Sequence, residues 1–429
     1  MLVSAQEASS GPVTPGARAL GPDLARGFML LFIALANTHY FLRSPIVIGG
    51  YPQDGSAPDR TVIWLLTTFA DGRAFPLFGL LFGYGTARMV SRHQTHHAQQ
   101  PTRWATRRLL WRRAAALVVI GLTDAVLFYV GDILAAYGVL LLFGALMVFW
   151  RDRWLLVTAG AFLMLNALPS ADPSTISPSG PDTAMLPPTL TALFPERFPT
   201  ALVIAALGPL GFLCPFALGL WAGRRRILEH PARHRRLLRR TAATGVLTAV
   251  LGAQPIALLL SGVTTPPPQP ALEWLAALHS TTGVLGGFGY AALFALLSLA
   301  RDGRPAVPAP PTAGPQTAGQ EACPQPAEDR PGAVTRAIAA AGRRSMTCYL
   351  MQSVTWAVVF TPFLLNLSGT LTITGTATLA IATWAVTVLI ADRMRAADHR
   401  GPFEALTRRI TYGRPRPTAP QPATRPPHP

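Results

Sequence analysis

Apolar residues in this chain arrive in long blocks, without the period-two alternation of a half-buried strand. Ten such runs stand out, at about 26–43, 62–90, 109–130, 132–150, 154–168, 199–222, 241–262, 272–299, 345–367 and 373–392. At about 1.5 Å of rise per residue, blocks of this size suit a hydrocarbon core of roughly 30 Å, so each run predicts a membrane-spanning helix. The expected fold class is an all-α integral membrane protein with about ten transmembrane helices.

The connecting segments divide by charge. If each run crosses once, the N-terminus and segments 88–113, 151–153, 224–240, 301–344 and 393–429 share one side. Of the 37 arginines, Arg43, Arg60 and Arg197 fall on the other side and Arg73 lies inside a run, which leaves 33 on the first side. Arginine excess beside span ends marks the cytoplasm, so both termini are expected inside a bacterial inner membrane. A missed crossing would invert every later loop and destroy this separation.

This reading divides the chain into a flexible N-terminus (1–25), helices one to eight (26–300), a linker (301–332), a C-terminal part with the last two helices (333–412) and a tail (413–429). The linker and tail are Pro/Ala/Gly stretches that bury too little apolar surface to order. The outer loop 168–199 is rich in Pro, Ser and Thr and is not expected to pack by itself. Segments 101–113 and 223–240 interleave arginine with Trp, Leu and Ile, which suits helices lying at an anionic leaflet.

Composition sharpens the picture. Half of the 429 residues are hydrophobic and 13% are charged, which excludes an ordinary cytosolic enzyme. Every basic residue is arginine, so the formal charge of +17 persists at any biological pH. Anionic lipid is the expected partner, and nucleic acid is not, because the charge follows the span ends. With no lysine there is no phosphate loop of the Walker type, and Cys214, Cys323 and Cys348 show no metal-ligand spacing. No metal and no tightly bound cofactor is expected, and the sequence is compatible with an oligomer.

Ionisable groups inside spans need partners, water or a function. His39 and His279 both fall in the outer half, as do Asp71, Arg73, Asp124 and Asp132, with the amide of Asn37 beside His39. Pro76 follows Arg73 by three residues and predicts a break at about Asp71–Phe75, which is tolerated in a membrane only against protein or a water-filled cavity. One expectation is structural, with Arg73 paired to Asp71 or Asp124 and the histidines at the interface. The other is a polar cavity opening outward. Tyr349 and Gln352 lie nearer the cytoplasmic end, where they line a passage or bond across helices.

The blocks ARGFMLLFIALANTHYF (25–41), GRAFPLFGLLFGYGTARM (72–89), LVVIGLTDAVLFYVGDILAAYGVLLL (117–142), AAGRRSMTCYLMQS (340–353) and GPFEALTRRITYG (401–413) occur in this order. Together they resemble the YeiB-like bacterial membrane family, the domain-of-unknown-function family numbered 418. Through its opening span that family is similar to the wider group of transmembrane acyltransferases, which includes the lysosomal heparan-glucosaminide acetyltransferase. Those enzymes take an acyl group from a cytoplasmic donor, and a histidine is the expected base. Arg26, Gly27 and Asn37 occupy the shared opening pattern. Where the family often carries a histidine in the third span this chain has Thr123-Asp124, so that role does not transfer.

The resemblance implies an acyltransferase with acyl-CoA as donor and a small molecule or glycan as acceptor. His39, His279 and Asp124 are then the acid–base candidates. Asn37, Asp71, Arg73, Asp132, Tyr349 and Gln352 are the substrate-side candidates, and Arg26, Arg107 and Arg108 are candidates for the donor phosphates. The competing expectation is a small-molecule transporter or exporter built on Asp71, Arg73 and Asp124. The topology is open to direct labelling. A cysteine placed at Ser179 should react with an impermeant thiol reagent in intact cells, and one at Gln320 only after lysis. Labelling of both in intact cells would overturn the ten-span reading.

Overall fold

A computed structural model describes residues 20–95, 102–169, 180–302 and 332–413. The expectations of flexibility for 1–25, 301–332 and 413–429, and the middle of the 168–199 loop, fall largely outside the described residues. The helices are α1 (Leu20–Thr38), α2 (Ala57–Phe69), α3 (Ala74–Thr95), α4 (Arg103–Leu127), α5 (Leu134–Met147), α6 (Asp152–Asn166) and α7 (Leu193–Arg224). They continue with α8 (Arg235–Leu260), α9 (Gln269–Asp302), α10 (Ala333–Arg343), α11 (Ser345–Phe360), α12 (Ile373–Ala396) and α13 (Pro402–Tyr412). A short 3-10 turn, His39–Phe41, follows α1, and a two-stranded antiparallel hairpin, β1 (Val47–Ile48) with β2 (Tyr51–Pro52), precedes α2.

Each predicted span overlaps helix, although the second is divided between α2 and α3 and the ninth is helical only to Phe360. Six stretches are long and apolar enough to cross a membrane: Leu20–Phe41, Ala57–Thr95, Leu193–Arg224, Arg235–Leu260, Gln269–Leu299 and Ile373–Ala396. Helices α5, α6 and α11 have only 14, 15 and 16 residues, and α4 carries arginines through its first turns.

Three expectations need correction. Residues 101–113 are not a separate surface helix: Thr102 caps α4, which runs on from Arg103 into the apolar stretch. Segment 223–240 is also not one helix, because α7 ends at Arg224 and turns lead to α8 at Arg235. The N-terminal boundary at residue 25 is late, since α1 starts at Leu20.

The C-terminal part holds two amphipathic helices beyond the two expected spans, and α13 explains the distinctive motifs. The carboxylate of Glu404 accepts from the Met346 and Thr347 N–H groups at 2.8 and 3.1 Å, and from the Thr347 hydroxyl at 2.5 Å. It thus satisfies the exposed donors of the α11 N-terminus, where a negative charge is also favoured. The neighbouring Arg344 donates to the carbonyls of His399 and Ala340. At the same end of the bundle Arg224 and Arg225 bond Asp152 at 2.8 and 3.1 Å, and Arg88 bonds Glu229 at 2.6 Å. Partial burial raises the Asp152 carboxyl, but the hydrogen bonds from Arg224 and Arg225 outweigh it and hold the group below its usual range.

Close crossings organise the bundle, with α8–α9, α3–α7 and α4–α5 the most extensive pairings. A side chain at Gly83 would strike the Phe216 carbonyl, and one at Gly219 would strike that of Leu80, so α3 and α7 meet backbone to backbone. In lipid, where apolar burial between helices adds little, such approach is a main source of packing energy. Gly83→Ala should therefore lower the thermal midpoint, by about 1–3 kcal/mol of stability from overpacking. Gly160→Ala, inside α6 with nothing within 4 Å, should leave the midpoint unchanged or raise it slightly, since alanine is the better helix former.

Candidate functional site

The second apolar run contains the predicted break. Helix α2 ends at Phe69, Gly72 takes a left-handed φ of +70°, and α3 begins at Ala74. Pro76 therefore sits in the first turn of α3, where its missing N–H costs no helical hydrogen bond. The break leaves carbonyls without helical partners, and Arg73 answers them. Its guanidinium is fully buried and donates from Nη1 to the Thr67 carbonyl at 3.0 Å and to the Asp71 carbonyl, and from Nη2 to the Ala249 carbonyl of α8 at 2.7 Å.

The same Nη1 lies 3.3 Å from His279 Nε2 on α9, so its two hydrogens are shared among three acceptors. A guanidinium only donates, so this Nε2 is the acceptor and the ring proton sits on Nδ1. That assignment follows from the partner's chemistry. His279 is thus a neutral ring fixed by Arg73. The expected Arg73–Asp124 pair does not form, because the charged neighbours of Asp124 are Asp132 and Arg197.

His39 is held differently. Its ring stacks on Tyr51 of the hairpin with centroids 3.9 Å apart and planes 5° apart, and it contacts Tyr40 at 4.0 Å. It is 1% exposed, well inside the protein and not at an interface. Neither ring nitrogen makes a hydrogen bond of normal geometry, although the Leu35 carbonyl is within reach of the ring. The Tyr51 hydroxyl donates to the Asp71 carboxylate. A continuous line of contacts therefore runs His39, Tyr51, Asp71, Arg73, His279, across α1, the hairpin, the α2–α3 break and α9.

The other candidates separate from this line. Asp124 on α4 and Asp132 in the α4–α5 turn form a second polar cluster with Tyr349 and Ser353 of α11. The Ile133 N–H donates to the Tyr349 hydroxyl at 3.3 Å, and Gln352 Nε2 donates to the Leu30 carbonyl of α1 at 3.3 Å. Both side chains thus bond across elements. Asn37, expected to be a buried amide, is only half-buried. Arg26 reaches Asp23 at 3.5 Å and the Leu81 carbonyl at 3.3 Å, and the Arg107 guanidinium lies 5.4 Å from the Phe149 ring centroid. Arg108 lines a surface hollow of about 350 Å³ with His93, Trp104 and Arg112.

Sequence reasoning missed Tyr51 and Arg197. Tyr51 lies in a loop with no chemical motif. Arg197 was counted only as a loop charge, yet it is 1% exposed and donates to the carbonyls of Ala184 (3.0 Å), Met185 (3.2 Å) and Val126 (3.4 Å). It pins the end of the 168–199 loop, where Ala184 and Leu186 are buried, so the described part of that loop does pack.

These features define an all-α membrane protein with a buried polar line at the end of the bundle that carries the hairpin. Residues 222–309 and 323–414 match the family described as protein of unknown function (DUF418), so the C-terminal part of the chain is similar to that family. No curated protein and no solved structure matches the chain.

The Arg73 geometry generates a stability prediction. Arg73→Met should cost at least about 3 kcal/mol, because it removes several charged hydrogen bonds to buried carbonyls. Arg73→Lys should restore little, since one ammonium cannot reproduce the planar fork. Size-exclusion profiles and thermal midpoints of the two variants check this, and wild-type behaviour of Arg73→Lys would contradict it.

Proposed function

We propose that this chain is a transmembrane acyltransferase of the bacterial inner membrane, with ten spans and both termini cytoplasmic. It passes an acyl group from cytoplasmic acyl-CoA to a hydroxyl or amine of a small molecule or glycan on the outer side. The observation that carries this reading is the state of His39: a deeply buried imidazole positioned by stacking, with the Leu35 carbonyl within reach of one ring nitrogen and the other left to accept a proton. Such a ring can take a proton without first breaking a hydrogen bond. His279 is the weaker base candidate, because its Nε2 already accepts from Arg73.

In this scheme the acceptor oxygen or nitrogen attacks the thioester carbonyl carbon and His39 takes the acceptor's proton. The C–S bond then breaks, and the leaving thiolate recovers the proton from the imidazolium. The Tyr51–Asp71 pair supports the face of the His39 ring. Arg107 and Arg108 meet the donor phosphates at the arginine-rich end, with Arg26 on the neighbouring stretch of α1. Arg26 and His39 are 13 positions apart on α1 and its 3-10 extension, roughly 20 Å, so the thioester arm enters the bundle along α1.

The broken α2–α3 helix favours a second reading, a small-molecule transporter or exporter, because discontinuous helices at membrane depth recur at transport sites. The two separate on acetyl-CoA consumption by the purified chain and on gradient-dependent flux in proteoliposomes. Acyl transfer predicts thioester consumption that falls on the order of 10²-fold in His39→Ala, with the folded fraction unchanged. Full activity in His39→Ala would remove the base assignment, and gradient-dependent flux without thioester consumption would establish the second reading.

A further inference from the structure

Away from the His39 line, the turn between α4 and α5 buries two carboxylates. Asp124 is 2% exposed and Asp132 1%. Asp132 Oδ2 accepts from the Ala135 N–H at 3.0 Å, and lies 2.5 Å from where a side chain on Gly121 would begin, one helical turn before Asp124. The two acids are therefore neighbours across the α4–α5 crossing, and each is the other's electrostatic partner. Asp124 Oδ1, Asp124 Oδ2 and Asp132 Oδ1 have no hydrogen bond of normal geometry.

Every element packed on the pair contributes something other than a direct counter-ion. Helix α11 supplies the Tyr349 hydroxyl beside Asp132 and the Ser353 hydroxyl beside Asp124. The turn supplies Tyr129. Helix α7 supplies Arg197, the cationic neighbour among the described residues, but its hydrogen bonds go to three backbone carbonyls. Two ionised carboxylates side by side in low dielectric repel strongly, and a single guanidinium whose donors are engaged with three backbone carbonyls offsets only part of that repulsion. Sharing one proton removes the repulsion and gives an unused oxygen a partner.

We propose that Asp124 and Asp132 form a proton-binding site that holds one exchangeable proton between the two carboxylates. The site is independent of the acyl-transfer reading. It lies close to the His39 line: Phe41, in the same 3-10 turn as His39, packs on Tyr129 with centroids 5.6 Å apart. A step at the hairpin end that gains or loses a proton can exchange it here.

The test is thermal unfolding of the full chain in detergent, in potassium buffers from about pH 5 to pH 9, for the wild type, Asp124→Asn and Asp132→Asn. In the unfolded chain both carboxylates ionise near pH 4. The folded wild type then holds one proton more than the unfolded chain, so its midpoint falls as pH rises. In either variant the amide stands in for the protonated partner and the like-charge repulsion is gone, so the remaining acid ionises at lower pH and the slope should be shallower and end earlier than in the wild type. Equal slopes in all three proteins overturn the proposal. Stabilisation of the wild type by sodium over potassium, absent in the variants, also overturns it and makes the pair a metal-cation site. If the variants do not fold, infrared spectroscopy of the wild type decides: a protonated carboxylic-acid carbonyl band at pH 7 supports the shared proton, and carboxylate bands alone contradict it.

Discussion

A guanidinium buried inside the bundle has to spend its donors on the protein, and Arg73 spends them on the α2–α3 break and on the helices packed beside it. Its bonds to the Thr67 and Asp71 carbonyls close the α2–α3 break, the bond to Ala249 fastens the break to α8, and the approach to His279 fastens it to α9. Backbone polar groups inside a membrane bundle must be satisfied by protein or enclosed water. The left-handed turn at Gly72 thus depends on Arg73, and the position of Asp71 depends on that turn. Asp71 in turn holds Tyr51, and Tyr51 holds the ring of His39.

The two histidines, alike as residues in the sequence, therefore differ in chemistry. His279 is committed as an acceptor, whereas His39 is stacked and keeps a ring nitrogen free to accept. The carboxylates divide in a similar way. Asp71 is tied to Tyr51, while Asp124 and Asp132 face each other with oxygens unused. Structural locking and available chemistry thus coexist within the polar set at one end of the bundle. The opposite end is held by arginine–carboxylate contacts and by Glu404 capping α11.

Much of the architecture was legible because its physics is local. A long apolar run is a helix wherever it sits, and Pro76 three residues after Arg73 marks a break regardless of its surroundings. Partner choice was not legible. Arg73 looked like half of an ion pair because single-sequence reasoning sees charges and not the carbonyls that a broken helix exposes. Arg197 escaped notice for the same reason, since its partners are backbone atoms of Val126, Ala184 and Met185. Tyr51 was invisible because its role comes from a hairpin that folds back onto α1. The arginine-rich 101–113 stretch misled in the opposite sense: its composition suits a surface helix, but the chain continues unbroken into α4.

The central claim is that Arg73 fixes the α2–α3 break by donating to its surroundings and thereby commits His279 as an acceptor. Nitrogen-15 NMR of histidine-labelled protein, with the His279 signals assigned by loss in His279→Gln, measures this directly. The account predicts that at neutral pH the His279 ring carries its proton on Nδ1 and accepts a hydrogen bond at Nε2. A ring protonated at Nε2, or at both nitrogens, would show that the guanidinium does not donate there and would contradict the account.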